Sequence, residues 1–296
     1  MPDGVRREGH AAQHEVSTRL EEGRSMGNCT MTEPVGPGLM CAALNEDATF
    51  IFPQSDNYWC PSVTVGEGLY EPEIDWLMQR ASDKPYAMLD CGANLGYWSV
   101  LASSAPYGRH AVVAIEASRA NCELLRRNAE ANGERFSILH RAVYSQSTQL
   151  VRLYGHRHYG KSLLPDWHPD GEGQVEEVET ITIDDAADRY FPERRYPLLL
   201  KIDVEGSEIE AIRGARKAAD EGALIIYEDH GKDPGHRISR FVLALDGVEV
   251  WSLGAGKRPV SIRTAEQVAA VKTDPRNGYN FFAYRRSSPW SSIFTQ

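Results

Sequence analysis

Seven residues, Asp90 to Gly96 (DCGANLG), constrain this chain more than any others. They close an apolar segment, Tyr86 to Leu89, and lead into Leu95, Trp98, Leu101 and Ala102, which are spaced as on a helix. The pattern predicts a strand, a tight glycine turn and a helix. Glycine at such a turn lets a ligand approach the backbone, because it has no side chain and tolerates positive φ. The helix is expected to offer free N–H groups to an anionic part of that ligand. Gly92 and Gly96 are spaced G-x-x-x-G, with Ala93 and Asn94 in the middle. A nicotinamide fingerprint needs G-x-G-x-x-G, whose middle glycine makes room for a pyrophosphate. An acid opening the turn and this wider spacing suit a cofactor with an amino-acid portion and no phosphate, which points to S-adenosylmethionine. An ordinary β–α loop carries such glycines too, so the turn alone leaves both readings open.

The following segments add to it. His110 to Ile115 reads as a second buried strand ending at Glu116, which lies 20 residues beyond Gly96. That is about where a dinucleotide fold places its ribose-binding acid. A carboxylate there can accept hydrogen bonds from both hydroxyls of an adenosine ribose; the plainer role is a helix-entry charge. Ser118 starts a helix running through Asn132, and Phe136 to Leu139 forms a third strand. His140 to Val143 follows, where adenine sits in such a fold. Strand, helix, strand, helix, strand is the order of a doubly wound sheet.

At 296 residues the chain can bury a large core, and one domain with an extension fits better than two. A net charge of −10 without any lysine or arginine run argues against a nucleic-acid partner. Five cysteines without a CxxC pair support neither a disulfide framework nor a zinc module. No apolar run reaches membrane-spanning length and no signal-peptide core is present, so a cytoplasmic protein with no membrane partner is expected. Residues 1–38 read as a flexible extension, 39–286 as the catalytic domain, and 287–296 as a mobile tail. Within the domain, 150–183 reads as an insertion or lid: strands at Leu150–Tyr154 and Val175–Ile183 flank a long turn-rich loop. Its His156, His158 and His168 lack the carboxylate spacing of a metal site and read as scattered loop histidines.

Tyr196 to Ile202 is nearly continuous apolar sequence, as in a central parallel strand. It carries Lys201 and ends in Asp203, Val204, Glu205 and Gly206, with a helix expected from Ser207 to about Ala219. A fifth strand, Ala223 to Tyr227, delivers Glu228, Asp229 and His230. Ligands of open α/β sheets bind beyond the carboxyl ends of the strands, so these groups share a rim with Asp90 and Glu116. Val248–Ser252 and Tyr279–Tyr284 read as further strands, the last suited to an antiparallel edge. Thr264 to Gln267 has the spacing of a capping box.

DCGANLG, the IEAS run from Ile115 to Asn132, TITIDD at Thr180–Asp185 and LLKIDVEGSEIEAIRGA at Leu199–Ala215 together resemble the FkbM family of methyltransferases. The resemblance spans about Tyr70 to His230. It implies a class I, Rossmann-like α/β fold with a mostly parallel sheet, and S-adenosylmethionine-dependent O-methylation of a sugar or natural-product hydroxyl. The cofactor-lining residues expected are Asp90, Gly92, Asn94, Gly96, Glu116, Ala117 and Ala142. On the acceptor side Asp203, Glu205 and His230 are the candidates for catalysis, with Lys201 able to influence a neighbouring hydroxyl. If a metal such as Mg²⁺ takes part, Asp203, Glu228 and Asp229 are its candidate ligands, although carboxylates serving as caps explain them as well. A small-molecule or glycan acceptor is expected. A nucleotide-dependent oxidoreductase and an RNA- or protein-directed methyltransferase are the alternatives.

Overall fold

The protein is described by a computed structural model covering residues 32–64, 70–155, 160–165, 167 and 175–295. A meander comes first: β1 (Thr32–Gly36), β2 (Leu39–Asn45) and β3 (Ala48–Pro53), then the short helix α1 (Trp59–Thr64) and α2 (Pro72–Ala81). The alternating half follows as β4 (Ala87–Cys91), α3 (Tyr97–Ala102), β5 (Ala111–Glu116), α4 (Arg119–Ala131) and β6 (Ser137–His140). Next come β7 (Ala142–Val143), β8 (Leu150–Tyr154), β9 (Val175–Ile181) and α5 (Ile183–Tyr190). The second half of the sheet brings β10 (Leu198–Ile202), α6 (Glu208–Arg213), α7 (Arg216–Asp220), β11 (Leu224–Glu228) and α8 (Arg237–Leu243). The chain closes with β12 (Val248–Gly254), β13 (Arg258–Ile262), α9 (Ala265–Val271), β14 (Asn280–Arg285) and α10 (Ser291–Phe294).

Eight strands form the central sheet in the order β13-β12-β14-β11-β10-β4-β5-β6. The five from β11 to β6 are parallel, and β14 runs antiparallel to β11. This is the expected α/β class, with one difference: β14 is not the edge. The β12–β13 hairpin pairs beyond it, so the antiparallel margin is three strands wide. β13 is not among the strands expected from the sequence; it carries Pro259, which an outermost strand tolerates. β4 and β10 are buried along their whole length and pack on both faces, one face toward α2, α3 and the meander, the other toward α5 to α8. The chain winds from β4 toward β6 on one side and returns to β10 and β11 on the other. The crevice between β4 and β10 is therefore the point where strand order reverses.

Several boundaries differ from the sequence expectation for identifiable reasons. Residues 1–31 and the three loop histidines lie outside the described residues. The extension expected to reach residue 38 contains β1, a fully exposed strand paired to β2, which leaves no apolar alternation to read. β3 is held at its other edge by α4: Asn128 and Asn132 each accept a backbone N–H of β3 and donate their amide to the same residue's carbonyl, at Ile51 and Thr49. Side-chain amides thus complete an edge that another strand would otherwise pair. The 150–183 segment is not wholly loop, since β8 and β9 pair antiparallel and β7 joins β9. β9 stops at Ile181, two residues short of the expected end, because the Thr182 side chain accepts the Asp185 N–H and caps α5.

The helix expected from Ser207 to Ala219 is broken into α6 and α7. The Gly214 carbonyl accepts the Asp184 N–H, and a Cβ at Gly214 would fall 2.4 Å from the Tyr144 carbonyl oxygen. The capping box at Thr264 and Gln267 forms as expected. The tail expected to be mobile is packed: Trp290, Ile293 and Phe294 are buried, with Phe294 against Trp76, Phe282 and Tyr284. Two aromatics and one isoleucine in ten residues carry no periodicity, which is why the tail reads as loose. Among the described residues no helix is long and apolar enough to cross a membrane. Phe294→Ala is expected to destabilise the fold by about 3–5 kcal/mol, the scale for truncating a buried aromatic. Urea denaturation measures this, and a free tail would give no change.

Candidate active site

The carboxyl ends of β4, β5 and β10 open on one cleft, about 910 Å³ when the solvent at its mouth is included. Its floor is the Gly92–Asn94 turn, where Gly92 and Asn94 both have positive φ. A Cβ on Gly92 would lie 1.8 Å from the Asp203 carbonyl oxygen, and Asp203 N–H in turn donates to the Cys91 carbonyl. Gly92 is therefore required first by the close approach of the two strand ends. Gly96 serves α4, since a Cβ there would meet Leu125 at 2.4 Å. The turn's own N–H groups are used internally: those of Gly92 and Ala93 go to the Ile115 carbonyl, that of Gly96 to the Ala93 carbonyl. α3 is six residues long and starts after Gly96 without a side-chain cap.

Of the residues expected around the cofactor, Gly92, Asn94, Glu116, Ala117 and Ala142 line the cleft, whereas Asp90 and Gly96 do not. Glu116 is buried and accepts the Asn94 N–H at 2.8 Å, the Ser118 N–H at 2.8 Å and the Asn121 amide at 3.3 Å. Burial pushes its carboxyl up to about 7 against the pull of those donors. Asp90 points below the turn, where its Oδ2 accepts the Ser99 hydroxyl at 2.6 Å and burial raises its pKa. Ile115, Ala142, Val143, Leu153 and Leu163 make the wall beyond Glu116 apolar.

Across the sheet Asp90 is paired in register with Lys201. Lys201 is buried, and its Nζ lies 3.0 Å from Asp203 Oδ2. Burial disfavours the ammonium, but Asp203, Glu71 and Asp90 together hold it charged well above the ordinary lysine range. Glu71 was not singled out from the sequence, where it reads as a turn residue before Pro72. It sits at positive φ ahead of α2 and accepts the Trp98 indole N–H at 2.5 Å and the Asn280 amide at 3.0 Å. Burial raises its pKa while Lys201 lowers it. No local signal marks a carboxylate that reaches the site from the preceding helix entry. The aromatic wall of Tyr58, Trp59, Tyr70, Tyr97 and Trp98 was missed for the same reason; the Tyr58 and Tyr70 hydroxyls meet at 2.7 Å.

Asp203 and Glu205 both line the cleft. Glu205 has a φ of 52°, a strained value for a residue with a side chain. Its Oε2 accepts the Trp167 indole N–H at 2.8 Å, and burial, reinforced by Asp203, pushes its carboxyl up to about 7. Glu208 folds back to accept the Val204 and Gly206 N–H groups, closing the turn after β10. Burial raises it to about 8.

His230 does not line the cleft. Its Nδ1 accepts the Lys232 N–H at 3.1 Å, which leaves the ring proton on Nε2 and makes that atom a donor. Burial, then Lys232 and Lys272, lower its pKa. Asp229 is fully buried and is consumed by Lys272 at 2.6 Å and by the Ser239 hydroxyl at 2.5 Å. Glu228 lies against Gly278, protonation favoured first by burial and then by the neighbouring carboxylates. The three residues named for a metal are thus divided, Asp203 to Lys201 and Asp229 to Lys272. No group of three metal-ligating side chains occurs among the described residues.

Residues 90–244 match the family model described as the methyltransferase FkbM domain, which is more than half of the chain. The chain belongs to the FkbM methyltransferase family. It is accordingly placed among the S-adenosylmethionine-dependent methyltransferases, with their class I fold. No curated protein matched it. Solved structures similar to it include the FkbM methyltransferase of Methylobacillus flagellatus, 19% identical with a TM-score of 0.40 over 68% of this chain and 44% of that one. The chain therefore spans less than half the length of that protein. An O-methyltransferase from Bacillus cereus in complex with SAH is 14% identical, TM-score 0.40, over 72% and 80% of the two chains. A Pyrococcus abyssi tRNA (uracil-54, C5)-methyltransferase in complex with S-adenosyl-L-homocysteine is 9% identical, TM-score 0.42, over 84% and 44%.

The cleft fits the family's cofactor on its own chemistry. It has an acid placed for vicinal hydroxyls, an apolar wall beside it, and at the turn an Asn94 Oδ1 that is buried without a partner among the described residues. Lys201→Met removes the cation that compensates three acids. It should destabilise the fold by about 3–5 kcal/mol at pH 7, the scale for leaving buried charge unpaired. The loss should shrink toward pH 5 as Asp90 and Glu71, both with raised pKa values, take up protons. Denaturation curves at the two pH values measure the difference.

Proposed function

We propose that the chain is an O-methyltransferase acting on a hydroxyl of a small-molecule or glycan acceptor, with Glu205 as general base. The observation that carries this reading is a cleft-facing carboxylate, one strand tip away from the Gly92 turn, whose burial brings it to about 7. A base with that pKa is half ionised near neutral pH and still strong enough to take a hydroxyl proton. Asp203 is committed to Lys201, and His230 stands outside the cleft with its Nδ1 occupied by the Lys232 N–H. An acceptor without many phosphates agrees with the net charge of −10 and with the acids of the rim.

In this reading Glu116 would hold the two ribose hydroxyls of the cofactor, the Gly92–Asn94 turn its methionine part, and Ala117 and Ala142 would border the adenine. When bound, S-adenosylmethionine would supply an electrophilic methyl to the acceptor oxygen, the C–S bonding pair staying with the sulfur. Glu205 takes the proton that the acceptor hydroxyl gives up. Asp203, fixed by Lys201, orients the hydroxyl by accepting or sharing a hydrogen bond. Tyr58, Tyr70 and Trp98 cover this end and keep bulk water from competing as nucleophile. Alignment of this kind accounts for up to about 7–11 kcal/mol of a barrier.

Two variants separate the roles. Glu116→Ala should weaken binding of S-adenosylhomocysteine by about 1–3 kcal/mol, read by titration calorimetry. Glu205→Gln should leave that affinity unchanged and lower turnover about 10²–10⁴-fold on any hydroxylated acceptor found by screening. Because the base acts ionised, kcat/KM of the unmodified protein should rise with pH through about 7 and level off above it. A flat profile from pH 5 to 9 would remove Glu205 from the role.

A further inference from the structure

The side chain that meets Glu205 most directly comes from outside the sheet. Trp167 belongs to the connection between β8 and β9, and its indole N–H donates to Glu205 Oε2 at 2.8 Å. Two further contacts seat it there, and a third holds Glu205 itself. The Lys232 ammonium stands 3.6 Å from the centre of the indole ring. A Cβ at Gly206 would come within 2.6 Å of the same ring, so only glycine after Glu205 lets the indole lie flat on the strand tip. Ser162, earlier in the same connection and bridged to Tyr154, donates its hydroxyl to the Glu205 carbonyl at 2.6 Å. The residue at strained φ is thus gripped at its carbonyl and at one carboxylate oxygen, and both contacts come from one chain segment.

We propose that Trp167 is a positioning residue for the acceptor-side carboxylate, its indole N–H holding Glu205 Oε2 so that Oε1 faces the acceptor hydroxyl. This rests on Glu205 being the base and adds how the base is aimed. A carboxylate at the end of a flexible side chain has several rotamers, and a fixed donor on one oxygen selects one of them. The donor also favours the ionised form, opposing the burial that disfavours it. Of the other groups facing this carboxylate, Asp203 just after β10, Glu208 on α6 and Glu228 on β11 disfavour its charge, while Lys201 on β10 and Lys232 after β11 favour it. Trp167 is the contributor that also has directional geometry. Trp167 lies outside the motifs DCGANLG and LLKIDVEG that form the turn and the strand tip, so the base is aimed from outside them.

The test is a pH titration of the full chain carrying glutamate labelled with ¹³C at Cδ, followed by NMR. The Glu205 resonance is identified by its loss in Glu205→Gln. Its midpoint should lie near neutrality in the unmodified protein. In Trp167→Phe, which keeps a ring over Gly206 and removes the donor, the midpoint should rise by about one pH unit. Trp167→Leu, which also removes the donor and leaves Lys232 in place, should move it the same way and serves if the first variant does not fold. A purely structural role for Trp167 would lower the melting temperature and leave the midpoint in place. An unmoved midpoint overturns the positioning role alone. A midpoint in the ordinary carboxylate range in the unmodified protein overturns the reading of Glu205 as base.

Discussion

The buried ammonium of Lys201 is the contact on which the cleft depends. It lies between acids delivered by three separate parts of the chain: Asp90 from β4, Asp203 from the end of β10 and Glu71 from the entry to α2. An ion in that position is costly to bury unless it is fully compensated, and the acids around it are costly unless it is present. The result is a strong preference for one arrangement of β4, β10 and α2. Glu71 then reaches Trp98 on α3 and Asn280 at the start of β14, so the same charge network touches both sides of the strand reversal. The cleft is closed at its base by the chemistry that makes it polar.

A second constraint acts on the backbone. The Asp203 N–H donates to the Cys91 carbonyl, and the Asp203 carbonyl occupies the space a side chain on Gly92 would fill. The turn expected to cradle the cofactor and the strand tip expected to carry the catalytic acids are therefore in direct contact. A shift of either moves the other. This explains why the two most specific motifs of the sequence, DCGANLG and KIDVEG, belong together although more than a hundred residues separate them.

Legibility in the sequence follows how local each feature is. The parallel strands, the Ser118 cap of α4 and the Thr264 capping box are set by neighbours within a few residues, and their periodicity shows it. Glu116 is legible because a fixed helix length places it. What cannot be read are features made by distant partners. Glu71 carries no sign of its role until β14 and α3 are folded over it. The exposed β1 has no pattern, and β3 pairs its outer edge with asparagines of α4 instead of with a strand. The packing of Phe294 depends on Trp76 and Phe282, and that of Trp290 on Tyr86, which lie far earlier in the chain or on another element. Among the rim carboxylates, composition could not separate Asp203 and Glu205, which face the cleft, from Asp229, which faces Lys272. All of them sit at strand ends, and the choice is made by which cation lies nearest.

The same division separates the two ends of the cleft. Its cofactor end is built from β4, β5 and the start of α4, elements adjacent in sequence whose donors and acceptors are backbone groups or a single acid. Its acceptor end is assembled from the aromatics of α1 and the segment before α2, the tip of β10 and the connection that carries Ser162 and Trp167. Those pieces are far apart in the chain, and the tip of β10 ties them to the glycine turn. In the proposed reading the methyl donor and the acceptor are held by separate parts of the chain, and the strained backbone at Glu205 stands where the two ends meet.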